Sequence, residues 1–224
     1  MPLDLNQYLR KFFYNNKCSV CDNILDDSEM YICKKCQEKF KNSNKLKKLK
    51  GVYYIFKYDY DFKNLIKNYK FYNRKYLGLF ISLLVRKSIT EIIDEKDIDI
   101  VIPVPLNKNR FFYRGFNQVS YVLDILGIDY KKILRIKDTK HMSFLLDKNT
   151  RKYNIKNAFS IPFDINGKNI LIVDDIITTG STINEIIKEI NQIGKPKNIT
   201  IFAFSVAKTF EKSNFGEKNE NISR

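Results

Sequence analysis

Asp174 and Asp175 stand side by side after the apolar run 169–173, and Ile176-Ile177-Thr178-Thr179-Gly180-Ser181-Thr182 follows them. The run reads as a buried strand over 168–173. It delivers two carboxylates to the end of the strand, where open α/β sheets bind their ligands. The next stretch is a tight loop with Gly180 and the hydroxyls of Thr178, Thr179, Ser181 and Thr182, then a helix N-terminus. Backbone N–H groups, hydroxyls and the helix dipole together favour a phosphate. Paired carboxylates accept hydrogen bonds from a vicinal diol. The combination describes a site for a 5-phosphorylated ribose, with phosphate in the loop and the 2- and 3-hydroxyls on Asp174 and Asp175. Gly180-Ser181-Thr182 lacks the Lys and the upstream glycine of a Walker A loop, and no G-x-G-x-x-G is present. The alternative is an ordinary strand-to-helix turn with a Thr or Ser cap. A cap accounts for one hydroxyl and leaves the two adjacent acids unexplained.

A second constellation lies near the N-terminus. All 4 cysteines fall in Cys18-x2-Cys21 and Cys33-x2-Cys36, with 11 residues between the two motifs. Each motif puts two sulfurs on one knuckle of backbone, and two knuckles complete a tetrahedral thiolate site for Zn2+. Disulfides and redox motifs are the competing uses. Residues 1–16 show no secretory h-region, which disfavours disulfides and makes the cytoplasm the expected location. Four thiolates close the coordination shell, so the zinc is expected to be structural. Val20, Ile24, Leu25, Met30, Tyr31 and Ile32 are too few to fold this segment unaided.

The elements that must position these groups can be read from periodicity and breakers. Helical spacing of apolar residues covers 3–14, 61–68, 75–93, 118–126 and 182–193, with Gly127 and Gly194 closing the last two. Strand patterns cover 52–58, 98–104, 168–173 and 198–206. Residues 39–50 read as a basic linker. The alternation implies an α/β fold with a mainly parallel sheet flanked by helices, preceded by a small four-cysteine module. The expected organisation is an N-terminal helix and zinc module over 1–50, an α/β domain over 51–209, and a polar, fraying tail over 210–224.

The chain has 40 Lys+Arg against 25 Asp+Glu, a net charge of +15. Such a balance favours anionic partners, nucleic acid among them; a Lys-rich solvated surface is the competing reading. The longest apolar stretch, around residues 79–85, is far short of the roughly 20 residues a membrane helix needs, so no membrane insertion is expected. His141, the one histidine, sits in a Lys-rich stretch and reads as a surface residue. Tyr53, Tyr54, Phe56, Tyr58 and Tyr60 read as core packing rather than as a base-stacking platform.

Residues 173–182 resemble the phosphoribosyl-pyrophosphate (PRPP) loop of type I phosphoribosyltransferases. Three further pieces resemble the ComF/GntX family. They are Ile102-Pro103-Val104-Pro105-Leu106 with Arg110, then Arg114-Gly115-Phe116-Asn117-Gln118, and Arg151-x2-Asn154-x4-Phe159. The N-terminal four-cysteine module is typical of that family too. Where the family carries a Gln after its Arg-x3-Thr element, Arg135-x3-Thr139 is followed by Lys140-His141-Met142. The resemblance implies a type I phosphoribosyltransferase fold that binds PRPP with Mg2+, with Asp174 and Asp175 as catalytic residues. PRPP would lie on these acids and on Thr178, Thr179, Gly180, Ser181 and Thr182. Arg110 and Arg114 would hold the pyrophosphate as guanidinium forks. Cys18, Cys21, Cys33 and Cys36 would hold the zinc. The implied function is phosphoribosyl transfer linked to natural competence and DNA uptake. The alternative is a non-catalytic PRPP sensor or a scaffold that binds single-stranded DNA and competence proteins.

Overall fold

Apolar residues on both sides of the central strands need cover on both faces, and the chain folds accordingly. The computed structural model describes residues 17–71, 74–135 and 159–215. Among these, five strands form one sheet: β1 (Lys47–Leu49), β2 (Val52–Lys57), β3 (Ile100–Pro103), β6 (Asn169–Ile177) and β7 (Asn198–Val206). Their spatial order is β1-β2-β7-β6-β3, parallel throughout except for the antiparallel edge strand β1. Two short strands, β4 (Leu134–Arg135) and β5 (Phe159–Ser160), pair separately. The helices are α1 (Lys34–Ser43), α2 (Tyr60–Phe71), α3 (Leu77–Glu95), α4 (Lys108–Arg114), α5 (Gln118–Leu126), α6 (Ser181–Ile193) and α7 (Lys208–Glu211). No helix among the described residues is long and apolar enough to cross a membrane.

The strand period divides the core in two. Leu171 and Val173 face one cluster with α2, α3, α5 and the cysteine module, whereas Ile170 and Ile172 face another with α6 and the C-terminal segment. Cys18, Cys33, Cys36, Val20 and Ile32 belong to the first cluster, so the module packs on the sheet domain rather than hanging from it. Phe40 joins the two, with its ring edge-on to Phe56 at 5.4 Å and to Phe80 at 5.9 Å.

Several elements differ from the sequence reading. Residues 39–50, read as a linker, form the end of α1 and the edge strand β1. Lys50 and Gly51 both have positive φ, +48° and +80°, as a two-residue type I′ hairpin turn requires. The resulting β1–β2 hairpin crosses the division expected between residues 50 and 51. The polar tail does not begin at residue 210: Phe210 and Phe215 are both buried in the second cluster. Two aromatics in a polar setting give no period to read, yet their burial ties the segment down. Strand β6 runs on past residue 173 to Ile177 and takes both acids into the sheet. The expected helix 3–14, together with His141, Arg151, Asn154 and tail residues 216–224, lies outside the described residues.

Candidate functional site

The carboxylate pair is buried more deeply than the sequence suggested. Asp174 pairs with Ala203 of β7 and is half-buried, and Asp175 beside it is only 4% exposed. Each acid commits one oxygen to the chain. Asp174 Oδ1 accepts from Asp175 N–H at 2.8 Å, and Asp175 Oδ1 accepts from Ile176 N–H at 2.9 Å. The second oxygens have no backbone partner. Burial first, and then the neighbouring charge of Asp175, push the Asp174 carboxyl well above the usual carboxylate range; Lys70 and the Asp175 N–H work against that rise.

Asp175 falls in phase with Leu171 and Val173, on the face covered by α2. There Lys70, in the last turn of α2, forms an ion pair with Asp175 Oδ2. The sequence analysis missed Lys70, one cation among 40. Its neighbour Tyr69 is fully buried and donates its hydroxyl to the Gln118 carbonyl at 2.9 Å. Gln118 Oε1 in turn accepts from the Arg114 guanidinium. Arg114 lies over the Phe71 ring, 5.4 Å from its centroid. Burial lowers the Arg114 proton affinity, the charge of Asp175 raises it, and Arg110 lowers it. Arg114, Lys70 and Asp175 thus share one electrostatic neighbourhood, and Arg110 stands exposed, its charge acting on Arg114.

The arginines come from an element that the sequence analysis left unassigned. Helix α4 buries none of its residues, so it has no apolar period to reveal it. Its start is fixed by Asn107 Oδ1, which accepts from Arg110 N–H at 2.8 Å, and it ends at Gly115. Asn117 is a cap as well: its Oδ1 takes the Val119 and Ser120 N–H groups, while Nδ2 donates to the Val104 carbonyl at 2.9 Å. The segment from Val104 to Gln118 is therefore locked to the end of β3 beside the acids.

The loop after β6 opens directly into helix α6. Gly180, at φ +77°, is the N-cap of α6, and no side chain caps that helix. One loop hydroxyl, Thr179 Oγ1, accepts from the Ser181 N–H at 3.5 Å. Thr178 and Thr179 are exposed, and Thr179 Oγ1 and Ser181 Oγ share a hydrogen bond of 2.8 Å. A Cβ at Gly180 would collide with the Phe215 ring, so the loop is shaped from below by the C-terminal segment. Thr209 adds a hydrogen bond of 2.7 Å to the Thr178 carbonyl. Thr178, Thr179, Gly180, Ser181 and Thr182 thus form one helix entry at the end of the strand that holds both acids.

The four cysteines form a separate centre. Their sulfurs all lie within 4.8 Å of one another, and Cys21 Sγ and Cys33 Sγ are 3.8 Å apart. Four thiolates bound to one zinc ion at tetrahedral corners stand about 3.8 Å apart, given a Zn–S bond of about 2.3 Å, so the side chains fit such an ion. Burial tends to raise the Cys18 thiol, but N–H donation from Cys21, Cys33 and Val20 outweighs it and the thiol is lowered. Burial raises Cys33 and Cys36, a cost that a bound cation reverses. This knuckle grips α2: Asn64 Nδ2 donates to the Val20 carbonyl and Asn68 Nδ2 to the Ser19 carbonyl, both at 2.9 Å. Arg74 adds a bond of 2.9 Å to Ser19 Oγ.

Comparison with known proteins follows the same lines. Residues 84–215 match the phosphoribosyl transferase domain family. Competence protein F of Haemophilus influenzae is 28% identical over 216 residues, covering 81% of this chain and 93% of that protein. Competence protein ComFC of Streptococcus pneumoniae is 31% identical over 160 residues, covering 66% and 65%. DNA utilization protein YhgH of Escherichia coli is 37% identical over 94 residues, which span 39% of this chain and 41% of that protein.

Proposed function

The chain belongs to the phosphoribosyl transferase domain family, and on that premise we propose that it binds PRPP with Mg2+ and transfers its phosphoribosyl group in a competence-related process. One observation carries the reading most: a helix entry with Gly180 at its N-cap adjoins an acid pair, Asp174 half-buried and Asp175 buried, whose second oxygens have no backbone partner. The 5-phosphate binds the N–H groups at the start of α6 and the surrounding hydroxyls. Asp174 and Asp175 accept the 2- and 3-hydroxyls. Arg114 and Arg110 take the pyrophosphate end. The C1–O bond to pyrophosphate breaks with the electron pair leaving on oxygen, and C1 becomes oxocarbenium-like before the acceptor adds. The protein's part is to hold the ring and neutralise the departing polyanion. The hard oxygens of the ligand and of the acids suit Mg2+, which supplies charge neutralisation at the leaving group when bound. The cysteine cluster holds a structural zinc.

Calorimetric titration tests this directly. PRPP with Mg2+ should bind the wild-type protein with a stoichiometry of about one, as a single site requires. Loss of binding without Mg2+ is expected as well. A wild-type protein that takes up neither PRPP nor pyrophosphate contradicts the reading.

One observation favours a further DNA-binding role. Phe112 and Tyr113 on α4 are 84% and 87% exposed, and Lys108 and Arg110 share that helix. A cavity of about 790 Å³ beside it is lined by Phe111, Phe112, Phe116, Tyr121 and Lys75. Exposed rings among cations suit stacked bases of a single strand. Single-stranded DNA should then bind with an affinity that falls steeply with salt, and Phe112→Ala with Tyr113→Ala should weaken it by about tenfold or more. Salt-independent or absent binding contradicts this role.

A further inference from the structure

Lys70 has a setting unusual for a lysine. Its side chain is 13% exposed and that of Asp175 is 5% exposed, although lysines are almost never buried unless paired. It is placed with care by the fold. Asn64 and Asn68 tie α2 to the cysteine knuckle at 2.9 Å each, and Tyr69 ties its last turn to Gln118. The C-terminal end of a helix also favours a cation. Lys70 lies upstream of residues 84–215, so the family match does not include it.

The atom it occupies matters. Asp175 Oδ1 is engaged by the Ile176 N–H, so Oδ2 is the oxygen a sugar hydroxyl must reach, and Lys70 Nζ sits on it. A hydroxyl and an ammonium cannot both take the same direction on one buried oxygen. We infer that Lys70 is a binding residue of the phosphoribosyl site: it is the counter-ion of Asp175 in the empty site and turns to the ligand's phosphate oxygens when the diol arrives. The inference rests on the PRPP reading above. A lysine suits the exchange because its ammonium is a point charge on a flexible stem, which a bidentate arginine is not. Releasing it into the site keeps the ammonium paired with the polyanionic ligand, while the sugar hydroxyl takes over Asp175 Oδ2 as its hydrogen-bond donor.

A double-mutant cycle with Mg2+–pyrophosphate as the probe isolates this role, since pyrophosphate has no diol. Lys70→Met alone leaves a buried carboxylate unpaired and can unfold the chain. Asp175→Asn with Lys70→Met removes both charges and keeps the fold. Asp175→Asn should still bind pyrophosphate, and adding Lys70→Met should weaken binding by roughly tenfold or more, the scale of one lost charge-assisted hydrogen bond. Lys70→Arg should retain part of the wild-type affinity. Equal pyrophosphate binding by Asp175→Asn and the double variant, with PRPP still bound by wild type, overturns the lysine's role alone. A wild type that binds neither probe overturns the lysine and the PRPP reading together.

Discussion

Asp174→Asn and Asp175→Asn should each weaken PRPP binding by roughly tenfold to a hundredfold, yet shift stability in opposite directions. Each substitution replaces a carboxyl that holds a sugar hydroxyl, a loss of about 1.5–3 kcal/mol per hydrogen bond where the group is charged in the complex. Stability is a different matter. The Asp174 carboxyl is raised by burial and by Asp175, so the folded protein holds that proton more tightly than the unfolded chain does. Between the ordinary carboxylate range and the raised value, stability falls as pH increases, and the deficit persists at neutral pH. Asparagine removes the deficit. The melting temperature of Asp174→Asn should rise by a few degrees, roughly the scale of a single stabilising substitution in a chain of this size. Its stability should also depend less on pH than that of the wild type in the acidic range. Asp175→Asn instead strands Lys70, whose side chain is only 13% exposed. About 3–5 kcal/mol is lost, a fall of roughly 6–20 °C. Thermal melts across pH check both signs; a fall for both variants contradicts the account of the pair.

Removing the metal should produce the largest stability change. The cysteine module supplies Val20, Leu25, Ile32 and Phe40 to the same cluster as Phe56 and Phe62, so losing its shape opens the sheet domain's core. Chelation, or Cys36→Ser, should lower stability by about 5 kcal/mol or more, a drop in melting temperature of roughly 10–20 °C. The effect should also reach the ligand site. Ser19 and Val20 hold Asn64, Asn68 and Arg74, and that same helix presents Lys70 to Asp175. PRPP affinity of the chelated protein should fall even below the temperature at which it melts. Elemental analysis should give about one zinc per chain. A zinc-free protein with the wild-type melt and wild-type PRPP affinity contradicts the staple and its reach.

Much of this site is visible in the residue order because local rules govern it. The apolar run of β6, the hydroxyl-rich turn and the period of α6 are contiguous, and each follows from its own residues. The paired cysteine spacing is likewise local chemistry. What escaped notice depends on tertiary placement. Lys70 has no local mark that separates it from other lysines; only the packing of α2 against the knuckle makes it a partner of Asp175. Helix α4 buries nothing, so its arginines read as a loop. Phe210 and Phe215 sit among polar residues, and their role under Gly180 appears only when the C-terminal segment folds back. The acids were expected at the mouth of a strand. Strand β6, with Asp174 opposite Ala203 of β7, carries them into the sheet and makes the Asp174 charge costly.

The most direct test is a crystal structure of the wild-type protein soaked with PRPP and Mg2+. The account predicts the 5-phosphate on the N–H groups that open α6, with the 2- and 3-hydroxyls on Asp174 and Asp175. It predicts Lys70 turned from Asp175 to a phosphate oxygen. An empty turn, or PRPP bound away from both acids, would contradict it.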